Sequence, residues 1–190
     1  MVLKINDCEK KIMKEMYIGQ TIYYINFSLE GYEDKIDDVA EFASSFKRIL
    51  LDGEVLEQND DVSELCKKIQ KNNPYNHVII KVDGTRRPVK FNAIKNCEFL
   101  VCLQLKKSGV EYNKRINEKA IEWFNKVDAK YVFNVSDNDD LDEVDLIVSN
   151  YLINKSQVFI NNECDNFKEV NEKIFMKNYN YLIKLESDLF

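Results

Sequence analysis

The sequence has few of the residues that divide a chain into separate units. Only five glycines and two prolines occur in 190 residues, and no stretch rich in serine and glycine separates one part from another. The hydrophobic share of 45% is enough for one sizeable core, while 190 residues are too few for two ordinary domains. We therefore predict a single globular domain over residues 1–190.

The chain also lacks the features of membrane proteins and of nucleic-acid-binding proteins. No apolar run approaches the about 20 residues that span a bilayer, and the first residues, MVLKINDCEKK, lack the apolar centre of a signal peptide. The net charge of −6 disfavours a nucleic-acid partner, because phosphates are neutralised by clustered lysine and arginine. We predict a cytoplasmic protein with no membrane partner and no nucleic-acid partner.

Common catalytic and metal-binding motifs are absent as well. Neither a P-loop nor a Gly-x-Gly-x-x-Gly loop occurs, and the single histidine, His77, gives little support for a Ser-His or Cys-His nucleophilic site. Five cysteines form an odd, scattered set, which predicts reduced thiols, and their spacing does not suit zinc. The acidic run from Asp137 to Asp145 lacks the glycine and glutamate of a calcium loop, so we interpret it as a helix start capped by Asp139 or Asp140. No metal site is predicted.

Hydrophobic periodicity predicts alternating strands and helices. Six short, nearly continuous apolar runs are typical of strands that are covered on both faces. These strands are Thr21 to Phe27, Arg48 to Asp52, His77 to Asp83, Glu98 to Leu105, Lys130 to Ser136 and Gln157 to Asn161. Helical stripes lie between them, at Ile36 to Phe46, Val62 to Ile69, Ile116 to Val127 and Leu141 to Tyr151. This order predicts an α/β fold of mostly parallel strands, as an open partial barrel or as a doubly wound sheet.

Either fold places ligands at the carboxyl ends of the strands, so the loops after the strands hold the candidate site residues. Glu54, Asp83 and Lys106 are candidate acid–base groups. Glycine lets the backbone approach a ligand, and two adjacent guanidinium groups can hold a phosphate or a carboxylate. The candidate ligand-binding residues are Gly53, Glu54, Gly84, Thr85, Arg86 and Arg87. A solvated turn is the alternative for the two arginines.

Several segments resemble, in order, those of the radical S-adenosylmethionine enzymes. The stretch LLDGEVLEQ, residues 50–58, resembles their Gly-Gly-Glu-Pro-Leu-Leu-Gln loop. IYYINF looks like the strand before their cluster loop, IIKVDGT like a Glu-Thr-Asn-Gly-Thr strand end, and LQLKKSG like a Ser-Pro-Lys-Pro-Ser segment. KYVFNVSDNDDLDEV and the final NYNYLIKLESDLF extend the likeness. The whole is similar to a small 7-carboxy-7-deazaguanine synthase, which implies an open partial (β/α) barrel of about six strands, with residues 163–190 packed on it as a C-terminal extension.

The departures from this pattern concern the chemistry. The family's Cys-x-x-x-Cys-x-x-Cys motif would follow Phe27 and hold a 4Fe–4S cluster, but the segment there reads SLEGYEDKIDD. Asp52 replaces the first glycine of the cofactor loop, Val55 replaces its proline, and Asp83 replaces an asparagine. Because the cysteines are absent we expect no cluster, and without the cluster's iron we expect no bound S-adenosylmethionine. The two aspartates would also repel the carboxylate of that cofactor.

Two functions follow from the resemblance and its departures. The first is a catalytically inactive, radical-enzyme-like protein that binds a partner protein or a small ligand at the former active-site mouth. The second is a non-radical enzyme on the same scaffold, acting on a nucleotide- or pterin-like small molecule through Glu54, Asp83 and Lys106, with Arg86 or Arg87 holding an anion. The resemblance also implies that a homodimer can form, since members of the family often dimerise.

Overall fold

A wholly parallel sheet of seven strands, with its strands in chain order, organises the computed structural model. The structure describes residues 22–26, 36–52, 59–88, 96–162 and 167–182. The strands are β1 Ile22–Asn26, β2 Arg48–Asp52, β3 His77–Val82, β4 Cys97–Cys102, β5 Lys130–Val135, β6 Val158–Asn162 and β7 Asn180–Leu182. The helices are α1 Ile36–Ser44, α2 Asn59–Asn72, α3 Tyr112–Arg115, α4 Glu118–Lys126, α5 Asn138–Asn150 and α6 Phe167–Met176.

Strand order decides between the two folds that the sequence allowed. In a doubly wound sheet the chain returns past its first strand, so strand order departs from chain order. Here each strand pairs in parallel with the strand before it, from β1 to β7. Right-handed crossovers then place the helices on one face of the sheet, as in a barrel. The prediction of an open partial barrel is confirmed, and the doubly wound alternative is wrong.

The outer face of the sheet forms the main core together with the helices. Leu51 on β2, Ile80 on β3 and Val101 on β4 point to this face and are fully buried. Side chains alternate between the two faces along each strand. The stripe that periodicity predicts for α2 is buried in the same core, at Val62, Leu65, Cys66 and Ile69. Burial of such side chains is worth about 1.5–3 kcal/mol each, so this face supplies most of the fold's hydrophobic stabilisation.

The inner face of the sheet changes character along each strand. On β3 the inner positions are His77, Ile79 and Lys81, so a polar residue is followed by an apolar one and then by a charged one. On β2, β4 and β5 the first inner position is charged and the second is apolar, while the third is an aspartate, a cysteine and an asparagine respectively. Their inner positions are Arg48, Leu50 and Asp52 on β2, Glu98, Leu100 and Cys102 on β4, and Lys130, Val132 and Asn134 on β5. An apolar band therefore separates a charged end of the barrel from a polar end.

The charged end lies at the amino ends of the strands and is held together by Glu98. Its carboxylate accepts a contact of 2.8 Å from Nε2 of His77 and forms an ion pair with Lys130. Burial alone would raise the pKa of Glu98, but the hydrogen bonds from His77 and Lys130 outweigh it and lower the pKa to about 2. His77 is thus a paired strand-end residue at the end of the barrel opposite the carboxyl ends of the strands.

The strand and helix bounds differ from the predicted ones mainly at their ends. The sequence placed β4 one residue late and extended it to Leu105, three residues beyond its end. It also missed α3 and the three-residue strand β7, which pairs in parallel with β6. α6 and β7 fall within the segment 163–190 that the sequence assigned to a C-terminal extension, so this segment continues the helix–strand alternation.

Helix lengths bear on the membrane prediction. Within the described ranges, no helix has both the length and the apolar character needed to cross a bilayer. The limits of the predicted domain, at residues 1 and 190, lie outside the described residues.

Candidate functional site

A cavity of about 500 Å³ opens at the carboxyl ends of β2 to β5. We call it the mouth cavity. Its polar lining includes Asp52, Lys81, Asp83, Cys102, Asn134 and Asp140. The apolar part of the lining is made by Val82, Leu103, Leu105 and Val132. Polar side chains from several strand ends converge in this cavity. The carboxyl ends of the strands are also where a parallel α/β barrel binds its ligands.

An ion pair between adjacent strands forms one side of the mouth cavity. Nζ of Lys81 on β3 lies 2.8 Å from Oδ2 of Asp52, the last residue of β2. The side chains are 22% and 10% exposed, so neither charge is solvated as in water. A charge buried to this degree persists only when it is paired. The sequence analysis singled out Asp52 and missed Lys81, although a lone lysine in the apolar run HVIIKVD was a visible signal.

Asn134 lines the opposite side and is held by a second carboxamide. Asn161 on β6 is 7% exposed, and its Nδ2 donates a hydrogen bond of 3.2 Å to Oδ1 of Asn134 on β5. The register places the two residues side by side. Asn134 itself is exposed, while its neighbours Phe133 and Val135 are buried. Its amide is therefore displayed at the mouth cavity in an orientation that Asn161 fixes.

A buried arginine anchors the segment that follows β4. Arg115 of α3 donates through Nη1 to the carbonyl oxygen of Gln104 at 3.0 Å and pairs through Nη2 with Glu143 at 2.6 Å. The other carboxylate oxygen of Glu143 accepts a hydrogen bond of 2.7 Å from the backbone N–H of Lys106. These contacts hold a short 3₁₀ turn, Lys106–Ser108, at the rim. Lys107 of this turn lines the mouth cavity.

The start of α5 closes the rim on the side of β5. Asp137 is the N-cap residue, and its side chain accepts a hydrogen bond of 3.1 Å from the backbone N–H of Asp140. Asp140 is 3% exposed and accepts hydrogen bonds from the backbone N–H and the hydroxyl of Ser136, at 2.8 and 2.5 Å. Lys107 pairs with both aspartates. The prediction of Asp139 or Asp140 as the cap is wrong, because the helix begins at Asn138 and only the residue before it has the extended backbone of a cap.

Of the predicted acid–base candidates, Asp83 lies at the mouth cavity. Its Oδ1 accepts hydrogen bonds from the backbone N–H and hydroxyl of Thr85, at 2.9 and 2.8 Å, which closes a turn after β3. Lys106 is exposed, and its neighbour Lys107, rather than Lys106, is part of the lining. The third candidate, Glu54, lies outside the described residues.

The predicted ligand-binding residues that the structure describes, Gly84 to Arg87, are not part of the cavity lining. Gly84 is buried at φ +78°, where a Cβ would lie 2.5 Å from Cδ2 of Leu103 and 2.7 Å from Cγ1 of Val101. Arg86 and Arg87 are exposed in the turn after it. The carbonyl oxygen of Thr85 accepts a hydrogen bond of 2.9 Å from Asn117, and Gly53 lies outside the described residues. The backbone conformation and the close packing together account for the glycine at position 84.

Of the described cysteines, Cys66 and Cys97 lie close enough to interact electrostatically, whereas Cys102 lies at the opposite end of the strand that Cys97 begins. Cys66 is buried in α2, and burial raises the pKa of its thiol well above the usual value. Cys97 begins β4, and burial raises its pKa to about 12. Cys102 ends the same strand and lines the mouth cavity. In the described part of the chain, no three His, Cys, Asp or Glu side chains are grouped as metal ligands.

Comparison with known proteins relates the fold to solved structures. No protein-family model and no curated protein sequence matches the chain. Two crystal structures of Streptococcus suis SuiB do, and one of them is bound to S-adenosylmethionine. The ligand-bound structure matches with a TM-score of 0.52 and 13% identity over 78% of this chain and 42% of SuiB. The other matches with a TM-score of 0.54 and 12% identity over 84% of this chain and 47% of SuiB.

These matches show that the chain shares the fold of the matched part of SuiB, and the chain spans less than half the length of SuiB.

Proposed function

We propose that this chain is a catalytically inactive relative of the radical-SAM fold that binds a small molecule in the mouth cavity. The observation that carries the proposal is the mouth cavity with its Asp52–Lys81 ion pair, at the carboxyl ends of the strands. Its volume of about 500 Å³ falls within the range of small-molecule sites, and it combines apolar walls with a few fixed polar groups. The order of the sequence segments supports a scaffold of the 7-carboxy-7-deazaguanine synthase type.

The cysteine placement supports the absence of radical chemistry. A 4Fe–4S cluster that binds S-adenosylmethionine needs three thiolates close together near the mouth. The segment between β1 and α1, residues 27–35, contains no cysteine. Among the described cysteines only Cys102 lines the mouth cavity, while Cys97 lies at the other end of the same strand and Cys66 lies in α2. This donor set does not fit the cluster, so we assign no step that uses it.

The ion pair also changes the electrostatic argument against S-adenosylmethionine. From sequence alone, Asp52 was a bare carboxylate that would repel the carboxylate of the cofactor. In the structure Lys81 offsets its charge at 2.8 Å. Repulsion by Asp52 is therefore weaker than the sequence indicates, and the case against the cofactor depends on the missing thiolates.

Anaerobic reconstitution with iron and sulfide tests the inactive assignment. We expect the treated protein to hold far less than one 4Fe–4S cluster per chain, measured by iron and sulfide content and by visible absorption. Any iron retained should be unchanged in the Cys102→Ser variant, because Cys102, the one thiolate that the described residues bring to the mouth, cannot hold a cluster by itself. A stoichiometric cluster, together with reductive cleavage of added S-adenosylmethionine, would refute the proposal.

A further inference from the structure

We infer that the ligand of the mouth cavity carries a carbonyl or carboxylate oxygen, which accepts a hydrogen bond from the Asn134 amide. This rests on the proposed function and names the chemistry of the small molecule that the same cavity takes.

The orientation of Asn134 is the first step. Because Oδ1 of Asn134 accepts the hydrogen bond from Asn161, its NH₂ group points away from that contact. The contact from Asn161 is the one hydrogen bond of the Asn134 side chain, so its NH₂ group donates to no described residue. Asn161 is itself 7% exposed, so a buried side chain fixes the orientation of Asn134. A hydrogen-bond donor is thus fixed in place at the wall of the mouth cavity.

The carboxylates of the lining are the second step. Each of them already accepts hydrogen bonds or an ion pair from protein groups: Asp52 from Lys81, Asp83 from Thr85, and Asp140 from Ser136. A cationic ligand would therefore have to compete with contacts of 2.5 to 2.9 Å. An oxygen acceptor meets the Asn134 donor without displacing any described contact.

The size of the ligand is the third step. Strand pairing sets Lys81 on β3 level with Leu100 on β4 and Lys130 on β5, four residues before Asn134. Lys81 and Asn134 are therefore two strands apart and also about 13 Å apart along the strands, so the acceptor contact is assigned to Asn134 alone. Val132 lies two residues before Asn134 on the same face of β5 and lines the cavity beside it. A single planar ring that bears one acceptor group fits here, since its body packs on Val132 and its oxygen accepts from Asn134.

Three probes of equal shape test the ligand class. Benzoate carries an anionic acceptor, benzamide carries a neutral acceptor, and benzamidine carries a cation that only donates. Each is titrated into the full chain, and binding is followed by the NMR signals of the Asn134 side-chain amide and the Cys102 backbone amide. We expect benzoate and benzamide to shift these signals to saturation, and benzamidine to leave them unchanged at the same concentrations.

Variants at Asn134 locate the contact, with binding followed by the Cys102 backbone amide because these variants lack the Asn134 side-chain amide. Asn134→Asp replaces the donor with a negative charge and should weaken benzoate binding at least fivefold. Asn134→Ala removes the donor without adding charge and should weaken benzoate and benzamide together. Asn150→Asp makes the same chemical change at the exposed last residue of α5, whereas the first turn of that helix forms the rim. This variant should alter benzoate binding less than twofold. The melting temperature of each variant confirms that it is folded.

The contrary results separate this inference from the proposed function. If benzamidine shifts the mouth signals and benzoate does not, the ligand class is wrong while small-molecule binding in the mouth cavity stands. If benzoate binds equally well to both Asn134 variants, the assigned contact is wrong. If none of the three probes shifts the Asn134 or Cys102 signals, both the ligand class and the proposed mouth site are rejected.

Discussion

Replacing Arg115 with methionine is expected to lower the free energy of unfolding by about 3–5 kcal/mol, because it leaves a buried carboxylate without its partner. The Arg115 side chain is 4% exposed and that of Glu143 is 17% exposed. The substitution also removes the donor to the carbonyl oxygen of Gln104. Methionine fills similar space, so the loss reflects charge and hydrogen bonding more than a cavity. Urea unfolding of the variant measures the effect.

A neighbouring ion pair provides the control. Lys114 lies 3.0 Å from Glu111, with both side chains 68% exposed. Exposed pairs contribute about 0–1 kcal/mol, so Lys114→Met should change stability by less than about 1 kcal/mol. Equal, small losses in the two variants would contradict the anchoring of the rim by Arg115.

Replacing Gly84 with alanine is expected to destabilise the fold by about 2–4 kcal/mol, as the sum of backbone strain and core overpacking. Its φ of +78° is costly for any residue with a Cβ. The new Cβ would also lie 2.5 Å from Leu103 and 2.7 Å from Val101, and both side chains belong to the buried core. Thermal and urea unfolding both report this change.

Gly109 separates the two contributions. Its φ of +75° is nearly the same, but no atom lies within 4 Å of a Cβ built there. Gly109→Ala should therefore cost about 1 kcal/mol, from backbone strain alone. If the two alanine variants lose the same stability, the close packing of β4 and the turn after β3 is not as described.

Much of the barrel was readable from the sequence because its strands are nearly continuous apolar runs. The strand β2 has the predicted bounds, Arg48–Asp52, and the α2 stripe is buried as expected. Element order cannot distinguish a partial barrel from a doubly wound sheet, since both alternate strands and helices. The likeness of ordered segments to a known family favoured the barrel, and strand pairing decided it. β7 was missed because three residues are too few for a period to show.

The candidate site was less predictable because its polar groups lie within the strands. Reading the loops after the strands found Asp83, which lines the mouth cavity. It overlooked Lys81 and Asn134, whose positions on the inner face depend on register and on which face each strand turns inward. Arg115 was also overlooked, because its sequence neighbours suggest only a polar loop and its burial depends on contacts with Gln104 and Glu143.

Alkylation of the native protein by iodoacetamide, read at each cysteine by mass spectrometry, tests most directly whether the mouth cavity is an open site. Cys97 and Cys102 begin and end the same strand, so they are a matched pair. We predict that Cys102, which lines the cavity, is alkylated in the folded protein. Cys66 and Cys97 should stay protected, because burial keeps their thiols protonated. A Cys102 that reacts no faster than Cys66 would mean that the mouth is filled, and would contradict the proposed binding site.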